Sequence, residues 1–311
     1  MKPAPFTYHR PASVDEAVGM LAATAGKVLA GGQSLIPIMS MRLASPAHLV
    51  DINAIPGLDR IDVTESVIRI GSLVRHRALE LHEDAYVANP LLRRAVGNVA
   101  HATIRNRGTT VGSLVHADPA AEMPAVLALL GGTVEAARPG GSIRSIPAAD
   151  FFVGPLESCL EPDELAVSAT FPHPTGHTGS SWLEISRRAG DYALVGVGAL
   201  VTVDDHGTVV GARVALISVA GTPVVVDVGE AAVGAASDSV DWRGAEDIVT
   251  AAIDPEPDIH ASAEYRAQLA RVLASRALSR ATVEACQLPH VGGDGNGTAQ
   301  ESSDVRRTVR P

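Results

Sequence analysis

The chain is poor in cysteine. Among 311 residues only Cys159 and Cys286 carry thiols. An iron–sulfur cluster of the ordinary kind needs four thiolates, so the chain cannot ligate one by itself. Two thiols also exclude a disulfide framework and a cysteine-based zinc ribbon, and they fit a reduced compartment. Aromatic residues are scarce at 3%, which leaves the core to Ala, Val, Leu and Ile. Basic residues are outnumbered, 25 Lys and Arg against 35 Asp and Glu, for a net charge of −10. That balance argues against nucleic acid and anionic membrane as partners. Long hydrophobic runs are missing too. The longest, Ala193 to Val203, has eleven residues and is too short to cross a bilayer. Met1 to Phe6 lacks the apolar core of a secretory signal, so the expectation is a cytoplasmic protein. Redox chemistry here would need an organic cofactor or a partner's metal.

What is present is an ordinary globular composition, 46% hydrophobic and 19% charged, with length for about two domains. Ser13-Val14-Asp15-Glu16 fits a capping box opening a helix that stops at Gly26. Strands are expected at 27–30 and 48–52, completing a small unit of about fifty residues. Further strands are expected at 67–71, 133–137, 142–146 and 165–171, and helices at 77–86, 91–100 and 119–130. Thr103 to Asp118 reads as a loop, and Pro172 to Gly176 as a linker. Alternating segments at 180–187, 195–203 and 212–219 precede helices at 245–253 and 262–284. The last of these has Tyr265, Leu269, Val272 and Leu273 on one stripe. From Pro289 onward the composition predicts disorder.

Several apparent motifs lead nowhere. Gly196-Val197-Gly198 starts like a dinucleotide fingerprint, but Val201 holds the place of its third glycine. His173 and His177 have zinc-ligand spacing, yet Pro174 and Gly176 bar the helix that would present both. No G-x-S-x-G elbow is present. The two cysteines read as small packed hydrophobes.

Two segments carry more. Ala30-Gly31-Gly32-Gln33-Ser34 follows a strand directly. Paired glycines allow close backbone approach and positive φ, and successive amides in such a turn form an anion nest suited to a phosphate. A polar tight turn would look the same. Arg105 to Pro119 again sets glycine among hydroxyls. Asp118-Pro119 fits an N-cap with proline at the first helical position, but a free Asp118 carboxylate could equally accept from a ligand's hydroxyls. Together the two segments could pinch a diphosphate.

These residues resemble the FAD-binding (medium) subunit of molybdenum hydroxylases, the carbon monoxide dehydrogenase and xanthine dehydrogenase family. Leu29 to Pro37 is similar to the family's first flavin loop, Arg105 to Pro119 to its second, and Arg187 to Val197 to its third signature. Arg42 to Asp51, Ile146 to Phe152 and His260 to Arg266 fit the intervening pattern, so the likeness covers about residues 6–286. It implies an α+β fold: two small α/β subdomains of the PCMH type gripping FAD, then a C-terminal domain of antiparallel sheet and helices. The implied FAD-binding domain is 1–175, with subdomains at about 1–56 and 57–175. A CO dehydrogenase flavoprotein-like domain would span 176–288, and a disordered tail 289–311.

By the same resemblance, Ala30, Gly31, Gly32, Gln33, Ser34 and Leu35, with Thr109, Thr110, Val111, Gly112 and Ser113, bind the cofactor around its pyrophosphate. Asp118 would face the ribityl chain, and Tyr192 would stack on or shield the isoalloxazine unless it packs in the core. No catalytic residue and no metal ligand is implied. Where the family has Thr-Ile-Gly-Gly-Ser, this chain has Thr109-Thr110-Val111-Gly112-Ser113. If that position needs φ > 0, Val111 is strained by about 1–2 kcal/mol, and weakened FAD binding is expected. The implied activity is that of an oxidoreductase subunit. Electrons pass from a molybdenum-binding large subunit through a 2Fe–2S small subunit to FAD and on to an external acceptor. The implied assembly is a heterotrimer or its dimer, with molybdenum cofactor and clusters only on the partners. A self-contained flavin oxidase and a flavin-depleted assembly module are the competing readings.

Overall fold

The computed structural model describes residues 1–288, so the expected disordered tail lies outside the described residues. The N-terminal lobe is a parallel three-stranded sheet of β1 (Thr7–His9), β2 (Lys27–Leu29) and β3 (His48–Asp51), with β3 in the centre. Helix α1 (Val14–Thr24) crosses it and buries Ala17, Val18 and Leu21. The Ser13 hydroxyl accepts from the Glu16 amide at 3.2 Å, and the Glu16 carboxylate accepts from the Ala12 amide at 2.7 Å. This is the reciprocal cap expected from the sequence, displaced by one residue on its return arm. The left-handed residue that ends the helix is Ala25 (φ 48°), not Gly26. Gly26 is small for another reason: a Cβ there would come within 3.2 Å of His48 and Val50 on β3. A short helix, α2 (Leu35–Ser40), follows the glycine pair. Pro37 is tolerated at its third position, where the amide has no intrahelical acceptor.

The second lobe holds a five-stranded antiparallel sheet. Its strands are β4 (Ile61–Val63), β5 (Val67–Gly71), β6 (Thr133–Ala137), β7 (Ile143–Pro147) and β10 (Leu165–Pro172), ordered β4-β5-β10-β6-β7. Six helices join β5 to β6: α3 (His76–Glu80), α4 (Glu83–Ala88), α5 (Pro90–Val96), α6 (Ala102–Arg105), α7 (Thr110–His116) and α8 (Glu122–Leu130). The helix expected over 77–86 is broken because His82 Nδ1 accepts from the Ala85 amide at 3.2 Å and starts a new helix. The loop expected over 103–118 is mostly the helices α6 and α7. Helix α8 starts three residues later than Pro119, since the Asp118 carboxylate takes the Ala120 amide at 2.9 Å into a tight turn. Helix α9 (Ala148–Phe151) and the hairpin β8 (Phe152–Gly154) and β9 (Glu157–Ser158) complete the lobe.

The C-terminal lobe is an antiparallel meander of β11 (His177–Ser186), β12 (Ala193–Val203), β13 (Val209–Ile217) and β14 (Val224–Asp227). Helices α10 (Arg243–Ala252) and α11 (Ala263–Gln287) follow it. The buried stripe of α11 runs through Leu269, Leu273, Ala277 and Ala281, and Tyr265 is exposed, contrary to the expected stripe. Small residues bring helix and sheet unusually close: a Cβ on Gly179 would lie 2.0 Å from the Ala281 carbonyl oxygen. Gly196 and Gly198 make room for the Trp182 ring, which a Cβ at either would meet at 3.2 or 3.0 Å. They serve packing, not a dinucleotide. Cys159 packs partly buried against the core, whereas Cys286 is exposed and its thiol donates to Ser237 Oγ at 3.1 Å, against the expectation of a packed hydrophobe. His177 faces Asp205 at 3.6 Å, and among the described residues no cluster suited to a metal ion occurs.

Two features join the lobes. Helix α8 is apolar nearly all round and lies against both the second sheet and the C-terminal meander, as expected of a fully enclosed helix. Arg94 on α5 forms a two-pronged bond to Glu284 on α11 at 2.6 and 2.7 Å, and Glu284 also accepts from the Ser180 amide at 2.7 Å. Burial opposes the Glu284 charge, but Arg94 and Ser180 outweigh it and hold the carboxyl below its ordinary range. A depressed carboxyl contributes stability above the unfolded-state value near 4.3, which is lost as pH falls through the folded one. Arg94→Ala is expected to cost about 1–3 kcal/mol at neutral pH, the worth of charged hydrogen bonds. Denaturant melts across pH 3–7 should show the gap to the unmodified protein closing on the acid side.

Candidate functional site

A cavity of about 540 Å³ lies where the three lobes meet, within the usual range for small-molecule and cofactor sites. Twelve of the thirteen residues expected to hold the cofactor line it: Ala30, Gly31, Gly32, Gln33, Ser34, Leu35, Thr109, Val111, Gly112, Ser113, Asp118 and Tyr192. The thirteenth, Thr110, is buried behind the wall, its hydroxyl 3.4 Å from His76 Nδ1. The first glycine segment links the end of β2 to α2, with Gly32 at φ +71°. A second, more open depression of about 650 Å³ lies along the same segment and includes Ile36, Asn53 and Arg107.

The second segment differs from the expected open loop. Thr109 is the N-cap of α7, and its hydroxyl accepts from the Gly112 amide at 3.2 Å. Val111 lies inside the first turn of α7, does not have positive φ, and is buried in the core. The premise of backbone strain at Val111 is therefore overturned. A β-branched residue fits a helix with its side chain packed, and only a left-handed position would have excluded it.

The two segments touch through their backbones. A Cβ on Gly31 would lie 2.4 Å from the Arg107 carbonyl oxygen and 2.8 Å from Gly108 Cα. Residues outside both segments hold this contact. Asn53 Nδ2 donates to the Ala30 carbonyl at 2.9 Å, Arg75 Nη2 to Asn53 Oδ1 at 2.6 Å, and Arg75 Nη1 to the Arg107 carbonyl at 2.7 Å. Asp51 orients Asn53, accepting from its amide and from Nδ2 at 2.9 and 2.6 Å, and accepts in turn from the Tyr8 hydroxyl. Burial opposes the Asp51 charge, but these donors outweigh it and hold the carboxyl below its usual range. Among the described residues the amides of Gly32, Gln33 and Ser34 find no protein acceptor. The first segment thus has carbonyls occupied and amides to spare, the donor set an anion requires.

The rest of the lining is neutral or acidic, and Lys27 is its one lysine or arginine. His76 is driven down to about 4 by burial and by Arg105, so it is neutral near pH 7. The Ser72 hydroxyl lines the cavity, is fully enclosed and has no partner. Glu122, the first residue of α8, lines the cavity and was not foreseen. Burial first, then Glu184, pushes its carboxyl up to about 8, so it carries its proton at neutral pH. Tyr192 is 70% exposed at the cavity, which rules out core packing. Its loop is seated by the His101 ring, which occupies the space a Cβ on Gly190 would take. Asn53, Arg75 and Glu122 had no local signal beyond an Asx-type residue after a strand and an acid near a helix start. Spare amides, an orphaned hydroxyl and a long cleft fit a dinucleotide cofactor with a diphosphate centre.

Fold and cleft together define a flavin-type cofactor holder with an attached sheet-and-helix domain. Residues 4–174 match the family described as FAD binding domain in molybdopterin dehydrogenase, and 180–281 match the CO dehydrogenase flavoprotein C-terminal domain. The chain is 38% identical over 284 residues to subunit alpha of the 6-hydroxypseudooxynicotine dehydrogenase complex of Paenarthrobacter nicotinovorans, covering 90% of this chain and 96% of that one. It is 35% identical to the carbon monoxide dehydrogenase medium chain of Afipia carboxidovorans, covering 92% and 99%. A chain in the structure of carbon monoxide dehydrogenase from Hydrogenophaga pseudoflava superposes with a TM-score of 0.86 at 34% identity, covering 91% of this chain and 99% of that one. The chain belongs to the FAD-binding subunit family of the molybdenum hydroxylases.

Two substitutions test the site. Gly31→Ala must push the segments apart, so a loss of about 1–3 kcal/mol in stability and most of the bound flavin is expected. Gly19→Ala, with open space around it inside α1, is the control and should keep the flavin and raise stability by about 0.5–1 kcal/mol. Flavin-to-protein absorbance ratio and thermal melting read the two effects. Val111→Gly should not tighten FAD binding. Removing a buried side chain and adding a helix glycine should instead destabilise the fold by about 3 kcal/mol.

Proposed function

We propose that the chain is the FAD-binding electron-transfer subunit of a heteromeric molybdenum hydroxylase. It takes electrons from a partner iron–sulfur subunit and passes them to an external acceptor. The observation that carries this reading is the backbone contact between two glycine segments at the edge of the cavity, with the amides of the first left over for an anion. FAD, when bound, supplies the ability to accept electrons singly and release them as a pair.

The chain's own residues do the holding. Ala30 to Leu35 would hold the diphosphate, chiefly through backbone amides, and Thr109 to Ser113 would close on it from the other side. Thr110 would act from behind, by fixing the start of α7 against His76. Asp118 and Glu122 would meet the sugar-alcohol hydroxyls, and Tyr192 would cover the ring at the opening. None of them has to move a proton or form a covalent bond for electrons to pass, so no general base or nucleophile is assigned. We read 1–56 and 57–175 as the two parts of the FAD-binding domain and 176–288 as the C-terminal domain.

The partners follow from chemistry that this chain lacks. With two unpaired cysteines it cannot ligate the donor cluster, which must lie on another polypeptide, as must the molybdenum centre. Two of the relatives described above are themselves named as a complex subunit and a medium chain, and a heterotrimer or its dimer is the assembly we infer. Unpaired cysteines also favour a reducing, cytoplasmic compartment. Among the described residues no helix is long and apolar enough to cross a membrane.

A native pull-down with metal and flavin analysis tests the reading. The expected result is co-purification with a molybdenum subunit and a 2Fe–2S subunit, with about one flavin per chain. The isolated chain should show a flavin spectrum and no turnover of an organic substrate. Full activity of the chain alone would overturn the proposal.

A further inference from the structure

One carboxyl group stands at the cavity wall without a counter-charge. Glu122 is 8% exposed and lines the cavity. Among the described residues its side chain has no ion pair and no hydrogen bond from another side chain. Glu184 on β11 is its electrostatic neighbour and likewise has no ion pair; its carboxylate accepts from Trp182 Nε1 at 3.2 Å. The Trp182 ring is fixed by Gly198, where a Cβ would meet both the ring and Leu129 of α8. The strand bearing Glu184 and the helix bearing Glu122 are therefore packed in one arrangement. The other groups acting on Glu122 are Asp118, of the same sign, and Arg105. Arg105 is committed elsewhere, to Glu80 at 2.9 Å and to the Val99 and Ala100 carbonyls at 3.0 and 2.9 Å. Tyr192 faces Asp118 and Glu122 from the third-signature loop.

We propose that Glu122, in the wall of the cofactor cavity with Glu184 on β11 as its neighbour, is a proton-holding group, and that FAD binding at mildly alkaline pH draws up to one proton from solvent onto it. The inference rests on the cavity being the FAD site. Burial places both groups near neutrality, Glu184 at about 7 and Glu122 at about 8. A deprotonated Glu122 puts a negative charge in the wall of a cavity whose ligand brings two more on its diphosphate. A proton taken from buffer onto a Glu122 carboxylate oxygen relieves that repulsion, with no change of oxidation state. Glu184 is the positioning residue: its charge raises the proton affinity of Glu122.

The test is calorimetric titration of the flavin-free full chain with FAD at about pH 8, in two buffers of different ionisation enthalpy. Uptake near half a proton is expected, because Glu122 at about 8 is already half protonated there, with the dissociation constant rising by up to about tenfold per pH unit above that point. Glu184→Gln should shift the pH dependence to lower pH, and Glu122→Gln should abolish uptake at about pH 8. If Glu122→Gln does not fold, Glu184→Gln carries the test. Tight binding with no proton uptake and no pH dependence from 7 to 9 overturns the proposal and leaves the FAD site standing. Failure to bind FAD at any pH overturns both.

Discussion

The cleft depends on one contact: the backbone at Gly31 against the backbone at Arg107 and Gly108. Two chains approach this closely only where no Cβ intervenes, and an approach of backbone to backbone leaves polar groups that must be satisfied. The protein satisfies the carbonyls and leaves the amides of the first segment. Asn53 takes the Ala30 carbonyl, Arg75 takes the Arg107 carbonyl, and Arg75 also holds Asn53. A polar ladder running from Tyr8 through Asp51, Asn53 and Arg75 thus sets both the spacing of the segments and their surplus of donors. This explains how a chain of net charge −10 can receive an anionic cofactor. Attraction comes from fixed peptide dipoles at short range, which the overall charge, screened beyond about 10 Å, does little to cancel.

The sequence carried the parts of the fold that depend on local pattern. Alternation located β5, β6 and β10 to within a residue, and Ser13 with Glu16 located the start of α1. The first glycine segment was legible as a turn of close backbone approach, because paired glycines after a strand permit it. The second was half legible. Its composition announced a site, but glycine, threonine and valine suit a capped helix as well as a loop, and the Thr109 hydroxyl decides for the helix. The holding ladder was not legible. Asn53 acts on Ala30 across 23 residues and Arg75 on Arg107 across 32, so no window of sequence contains both ends.

Helix α8 shows how a small shift in one boundary moves chemistry into a site. Had the helix begun at Pro119, Asp118 would have been its cap and nothing more. Because Asp118 holds the Ala120 amide in a turn, the helix starts at Glu122 and sets that carboxyl into the cavity. The same helix is apolar on every other side and is clasped by the second sheet and the C-terminal meander. Its rotation and height are fixed by packing on both faces, so an acid at its first turn is held rigidly by neighbours that have no polar role.

The charge state of that acid follows from comparing magnitudes. A helix N-terminus favours an anion by about 0.3–1 kcal/mol, reaching ~2 kcal/mol in a partly buried setting. Removing a carboxylate from water without a partner costs several kcal/mol, and a second carboxyl nearby adds to that cost. Burial exceeds the dipole, so Glu122 keeps its proton although it occupies the position where a helix best tolerates a negative charge. The cleft is therefore set apart from the surface less by the residues it contains than by the water it excludes.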